Sequence, residues 1–232
     1  MEEIDDNFWN KCCKNLAWNR SDNLYGRSVP YMVGLSLIFG LIIAFPLAIL
    51  LFVSRRGGIN ENLVINKIVG TIINIIRSVP FIILIVYIMP LTKVIVGTRV
   101  GSTAALVPLT AYIAPYLARL IETALLEVDG GIIEAAQAMG ANTFQTIFKF
   151  VLPEAKGGIV LGITTGTVGL LGATAMAGAV GGGGVGDIAL TYGYQRFNTP
   201  LMTSTVIILI LFVQLIQFSG EKSSNTRMMK KR

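Results

Sequence analysis

Apolar positions in this chain come in long unbroken runs, unlike the alternation of a half-buried strand or the one-sided stripe of a soluble helix. Residues 28–54, 78–92, 100–118, 157–186 and 197–220 contain no Lys, Arg, Asp or Glu, and four of these five runs reach about the length that crosses hydrocarbon as a helix. The remaining run, in NKIVGTIINIIRSVPFIILIVYIMP, is cut short by Arg77. A central Arg opposes insertion by about 3 kcal/mol, whereas roughly ten Ile, Leu, Val and Phe at about −0.5 kcal/mol each favour it by about 5 kcal/mol. The segment therefore inserts. The pattern predicts an all-α membrane protein with five transmembrane helices: about Val29–Val53, Val64–Met89, Val100–Leu126, a fourth starting after Pro153 and Glu154, and about Leu201–Phe218.

The connections are short. Lys93 to Arg99 form one outer loop, and GGGGVGDIALTYGYQRFN, residues 181–198, forms another. The second resembles a phosphate-cradling loop only in its glycines, because the Gly-Lys-Ser/Thr that reaches phosphate and magnesium is missing. Pro108 and Pro115 fall within span three. Prolines there need neighbouring helices or water to satisfy the carbonyls they free, so this helix is expected inside a bundle. In span four Gly158, Gly162 and Gly166 recur every four residues, a stripe that lets another backbone approach. Plain helix packing and a wall of a translocation path both fit it. Five spans without an internal repeat argue against a carrier built from paired halves.

Composition agrees with a membrane protein: 53% of residues are hydrophobic and 14% charged, about half the charged fraction of a soluble domain. Lys and Arg in the connections set the orientation. With the N-terminus outside, eleven lie inside, namely Arg55, Arg56, Lys67, Arg119, Lys149, Lys156 and five in the C-terminal tail, against seven outside. The positive-inside rule thus favours N-out, C-in, with an outer leader over 1–28 and a basic cytoplasmic tail over 221–232. The net charge of +6 reads as topology and contact with anionic membrane lipid, and no nucleic-acid partner is expected. Cys12 and Cys13 are adjacent, outside zinc-type spacing, and the chain has no His, so neither a metal site nor a catalytic residue is expected. The acidic leader lacks the early apolar segment of a cleavable signal.

One polar stretch lies between spans three and four, EAAQAMGANTFQTIFKFVLPEA at residues 134–155. Ile132, Ala135, Ala136 and Met139 fall on one face of a short helix, with Glu134 and Gln137 on another. Such a helix is marginal alone and needs a partner surface. Gly140 is free to take the positive φ that ends it, Asn142 with Gln145 has the spacing of a cap that starts a second helix, and Pro153 fits the first turn of span four. The pattern predicts a helix-turn-helix in the cytoplasm whose small alanines let a groove on another protein close over it.

These residues resemble the coupling motif of ABC importer permeases, carried here by Glu134, Ala135, Ala136, Gly140, Phe150, Leu152 and Pro153. Phe150 stands where that motif usually has Ile and keeps the position apolar. The resemblance runs over about 29–220 and extends to the methionine importer permeases through INIIRSVPFIILIVYIMPLTKVIVGT, ATAMAGAVGGGGVGDIALTYGYQRFN and VQLIQFSG. It implies the type I ABC importer permease fold, with a transmembrane domain over 29–220 and a coupling loop over about 127–153. It implies a bacterial cytoplasmic-membrane location, a second copy of the chain, an ATP-binding subunit holding the ATP and magnesium, and an external substrate-binding lipoprotein. This chain itself then carries no cofactor and no enzymatic activity. The lipoprotein meets the outer loops, where Tyr192, Tyr194 and Arg196 are the candidate contacts.

Two further residues stand out. Arg77 is the one charge well inside a span, so it is expected to face the bundle interior, lining or bracing the path with Glu122 as a candidate partner. Met176, among small residues late in span four, is a candidate gate, although filling a packing gap is the commoner use of Met. Other readings keep the machinery but change the cargo to another amino acid or a dipeptide, or replace it by an ATP-independent carrier or channel. A membrane-embedded enzyme lacks convergent His, Cys or paired carboxylates.

Overall fold

The computed structural model describes residues 23–229, and among them every regular element is helical. Helix α1 (Asn23–Ser54) is followed by α2 (Leu63–Ser78), α3 (Phe81–Val96) and α4 (Ser102–Leu126). The insert contributes α5 (Gly130–Ala138), α6 (Thr143–Gln145), a π-helical stretch (Thr146–Val151) and α7 (Leu152–Glu154). Then come α8 (Lys156–Ala177), a second π stretch (Gly178–Gly182), α9 (Val185–Asp187), a third π stretch (Ile188–Tyr194) and α10 (Thr199–Met229). Cys12 and Cys13, with most of the expected leader, lie outside the described residues.

Four helices are each long and apolar enough to cross a membrane, or five spans if the bent pair α2 and α3 counts as one. The second span was expected to be a single helix. Instead it is broken by a bend of 107°. Pro80 explains the break: the residue before a proline is pushed out of the α region, and Val79 sits at φ −80°, ψ 124°. Helix α2 therefore ends at Ser78, one residue beyond Arg77. Two other boundaries move. Lys93 belongs to the last turn of α3, so the outer loop starts at Gly97, and residues 185–194 of the expected glycine-rich loop are wound into helical turns.

The chain divides into two compact units. One comprises the described residues up to Ser36, Phe81–Leu109 and Leu170–Leu215. Within it the Gly101 N–H donates to the Gly181 carbonyl at 3.0 Å, and Gly186 lies directly on the backbone of Ala175. The other comprises Leu37–Pro80, Thr110–Gly169 and the chain from Ile216. There the start of α2 is fastened to the end of α1, because Asn66 donates from Nδ2 to the Leu51 carbonyl at 2.8 Å.

The glycine stripe of α8 does what close packing requires. A Cβ added at Gly158 would meet the Ala124 Cβ at 3.0 Å, one at Gly162 would meet the Leu120 Cβ at 3.2 Å, and one at Gly166 would run into Leu117. All three partners lie on α4, so the stripe is the seam between the two helices that flank the insert. Helix α10 joins the same unit through Ser224, which donates to the Gly157 carbonyl at 3.1 Å, and through Gly220 against Thr164. Helix α4 is more than half buried along its apolar stretch, whereas α10 is almost wholly exposed along its own. Pro108 and Pro115 are both buried, in keeping with a proline-bearing helix held inside protein.

Two glycine substitutions test this packing against each other. Gly186→Ala places a methyl on backbone that has no room to move and should destabilise by about 1–3 kcal/mol. Gly172→Ala, with nothing within 4 Å of the new Cβ, should be neutral or stabilising by about 0.5–1 kcal/mol, as expected for a helical glycine. Thermal unfolding of the purified variants in detergent measures both; equal midpoints would contradict the packing described.

Candidate functional site

The polar insert is built from local rules that the chain states explicitly. Asp129 opens α5 by accepting from the Gly131 N–H at 2.7 Å. At the other end the Ala141 N–H donates to the Ala136 carbonyl at 3.1 Å and the Gly140 N–H to the Gln137 carbonyl at 2.9 Å, with Gly140 at φ +79°. That pair of bonds is a Schellman stop, which needs a left-handed residue one place beyond the C-cap. The spacing from Ala136 to Gly140 is thus the spacing from the third-last helical residue to the residue that reverses the chain. Two residues on, Asn142 and Gln145 form a reciprocal capping box, the Gln145 N–H to Asn142 Oδ1 at 2.8 Å and the Asn142 N–H to Gln145 Oε1 at 3.1 Å. The turn is fastened on both sides of Gly140.

Packing then sorts the motif residues. Ala136 was expected on the docking face beside Ala135; it is instead fully buried, because α5 folds back onto the π stretch that follows it. Its small side chain sets how closely the two segments approach. Ile147 and Val151 are buried in that stretch, whereas Phe150 and Leu152 are half-buried. Glu134 and Ala135 are exposed. Pro153 stands in α7, one short turn before α8 and not in its first turn, and the Ala155 N–H bonded to the Val151 carbonyl at 2.9 Å carries the chain across.

Beside Met139, the insert exposes aromatic surface that periodicity did not single out. Phe144 and Phe148 lie with ring centroids 4.3 Å apart and are 67% and 43% exposed, and Met139 is 68% exposed. Aromatic residues four apart in a polar loop were the signal.

Arg77 is held differently from the expectation. Its guanidinium lies 5.6 Å above the ring of Tyr116, which is stacked on Tyr112 at 6.2 Å. Glu122, the expected partner, is taken by Arg119 through an ion pair of 2.7 Å, and Arg119 also donates to Asn74 Oδ1 at 3.2 Å. The reason is position: Glu122 lies three residues from Arg119 on the same helix face, within easy reach. Met176 is the second-last residue of α8 and 49% exposed. Tyr192 and Arg196 are brought together, the guanidinium 4.6 Å over the ring, while Tyr194 is 63% exposed. Phe197, which the pattern passed over, is 91% exposed and has a φ of +52°, unusual for a residue with a Cβ.

Residues 36–221 match the family described as the inner membrane component of binding-protein-dependent transport systems. The chain belongs to that family. Among similar proteins, the probable D-methionine transport system permease protein MetI of Vibrio cholerae is 49% identical over 191 residues, covering 82% of this chain and 85% of its own. The methionine import system permease protein MetP of Bacillus subtilis is 42% identical over 176 residues, with 76% and 79% covered. A chain of the MetNI methionine ABC transporter, solved in inward-facing conformations, superposes with a TM-score of 0.85 at 44% identity over 86% of this chain and 93% of that one. This inner-membrane transport component is therefore an all-helical, multi-pass permease of the ABC importer fold.

In this component Gly140 is the residue on which the shape of the insert turns. An L-residue held at positive φ costs about 1–2 kcal/mol, and a β-branched one more, so Gly140→Val should open the 130–151 segment further than Gly140→Ala. Asn142→Ala should cost about 1 kcal/mol through loss of the cap. Amide hydrogen exchange across residues 130–151 reads all three, and protection unchanged in Gly140→Val would refute the Schellman stop as the element holding the turn.

Proposed function

We propose that two copies of this chain form the permease of an ATP-driven methionine importer in the bacterial cytoplasmic membrane. Each copy docks through its insert on an ATP-binding subunit, which holds the ATP and magnesium. A substrate-binding lipoprotein delivers methionine to the outer side. The orientation is N-out, C-in, which puts the insert and the basic tail on the cytoplasmic face. The cargo rests on the names of the similar permeases, and the coupling role on the shape of the insert.

The single observation that carries the coupling role is a short, doubly fastened helix, α5, presented between two tightly packed spans. A coupling element must move as a piece and pass that movement to the membrane. The Schellman stop and the capping box fix α5 against the π stretch, and the Gly158, Gly162 and Gly166 seam fixes the spans on either side. Displacing the insert therefore tilts α4 and α8 and does not merely bend a loop. Glu134 and Ala135, with Met139, Phe144 and Phe148, supply the contact surface; Ala136, Gly140, Leu152 and Pro153 shape it. ATP binding closes the partner dimer and draws the two inserts together, opening the path outward, and hydrolysis resets it. Met176 acts as the gate of the path, and Tyr192, Tyr194 and Arg196 contact the lipoprotein.

The experiment is to reconstitute the chain with its ATP-binding subunit and lipoprotein in vesicles and follow radiolabelled methionine uptake, ATP turnover and copurification on one preparation. Ala135→Trp, which puts bulk on the exposed face of α5, should weaken copurification by about tenfold or more, the loss expected when a contact worth more than about 1.4 kcal/mol is removed. Uptake should fall with it while the spans still insert. Wild-type copurification, turnover and uptake in that variant would refute the insert as the coupling surface.

A further inference from the structure

The break between α2 and α3 sets a cation beside an acceptor-rich helix end, and the proposed function does not use it. Arg77 makes no ion pair among the described residues. Its side chain is exposed in the single chain and lies over the Tyr116 ring. A charge within a membrane-spanning pair is costly against lipid, and such residues face water-filled cavities or other protein. Glu122, the one buried carboxylate among the described residues, is already paired with Arg119. Arg77 is thus a guanidinium left free to accept an anion from outside the chain.

Three neighbouring features define which anion. Helix α2 ends one residue past Arg77, and its last carbonyls carry the partial negative charge of a helix C-terminus. Pro80 has no N–H with which to satisfy any of them. Asn74, a turn earlier, spends Oδ1 on Arg119 and keeps its amide N–H groups for another acceptor. Finally, the stacked pair Tyr116 and Tyr112 offers aromatic surface beside the guanidinium, where a thioether or an aliphatic chain packs favourably. A cation, a row of carbonyl acceptors and an apolar aromatic face within one bend match a zwitterionic amino acid with an apolar side chain. The carboxylate pairs with Arg77, the ammonium with the carbonyls at the end of α2, and the side chain with the rings.

We infer that Arg77, with Tyr116 and the end of α2, forms a transient site on the permease itself for the carboxylate and ammonium of the transported amino acid. This rests on the transport reading above and deepens it: the chain takes part in holding cargo and is more than a gated passage. Guanidinium to carboxylate is a bidentate, charge-assisted pair that Gln cannot reproduce and Lys reproduces in part.

The test is the ratio of methionine taken up to ATP hydrolysed, in vesicles holding the full complex with its lipoprotein. R77Q should lower that ratio about tenfold, the factor expected for losing one charge-assisted hydrogen bond, and R77K should restore most of it. A residue that only braces the fold lowers uptake and turnover together and leaves the ratio unchanged. An unchanged ratio in R77Q, whether or not both rates fall, overturns the inference while the transport reading stands. Wild-type vesicles that take up no methionine overturn the transport reading, and this site with it.

Discussion

The close seam between α4 and α8 is the contact on which the rest depends. Three glycines at four-residue spacing let α8, which has no side chain of its own at those positions, lie directly against the side chains of Ala124, Leu120 and Leu117 of α4. In lipid there is no hydrophobic drive to press helices together, so such contacts come from dispersion and fit. The insert is strung between the ends of these two helices. A looser seam would let it swing as a flexible loop; this one makes the insert an extension of the spans.

The same economy governs the break at Val79 and Pro80. A backbone leaving its helix inside a membrane must have its polar groups satisfied by protein or by water in a cavity. Here the Ser78 hydroxyl donates to the Asn74 carbonyl at 2.7 Å and the Val79 N–H to the Ile76 carbonyl at 3.3 Å. The remaining carbonyl end, with Arg77 beside it, is suited to a wet passage and not to lipid. Broken helix and free cation are therefore two faces of one arrangement: each is tolerable because the other side of it is polar.

What could be read from the chain divides along the line between local and tertiary rules. The positive φ of Gly140 and the Asn142 and Gln145 cap were legible because each depends on residues within one turn. So was the membrane class, from runs free of charge. The burial of Ala136 was not legible: helical spacing put it beside Ala135 and Met139, and only the fold-back of α5 on the following π stretch decides which edge of that face is covered. The pairing of Arg119 with Glu122, three residues apart on one helix, follows a local rule, and the expectation that Arg77 would take Glu122 passed over it. The 107° bend was a different kind of miss. Val79 before Pro80 carries a local rule against helix, but the apolar run continues on both sides and masks it. The π stretches have no signal in the pattern.

If the insert is gripped by an ATP-binding subunit, its exposed apolar residues must lose access to solvent in the complex. A single Cys at Met139 or Phe144, in a background with Cys12 and Cys13 replaced by Ser, gives a direct reading through its rate of labelling by a membrane-impermeant maleimide in detergent. Labelling should be fast in the isolated permease and strongly slowed once the ATP-binding subunit is added, while a Cys at Val100, exposed outside the insert, labels at the same rate in both. Equal labelling of Met139→Cys and Phe144→Cys with and without the subunit would contradict the assignment of this insert as the coupling element.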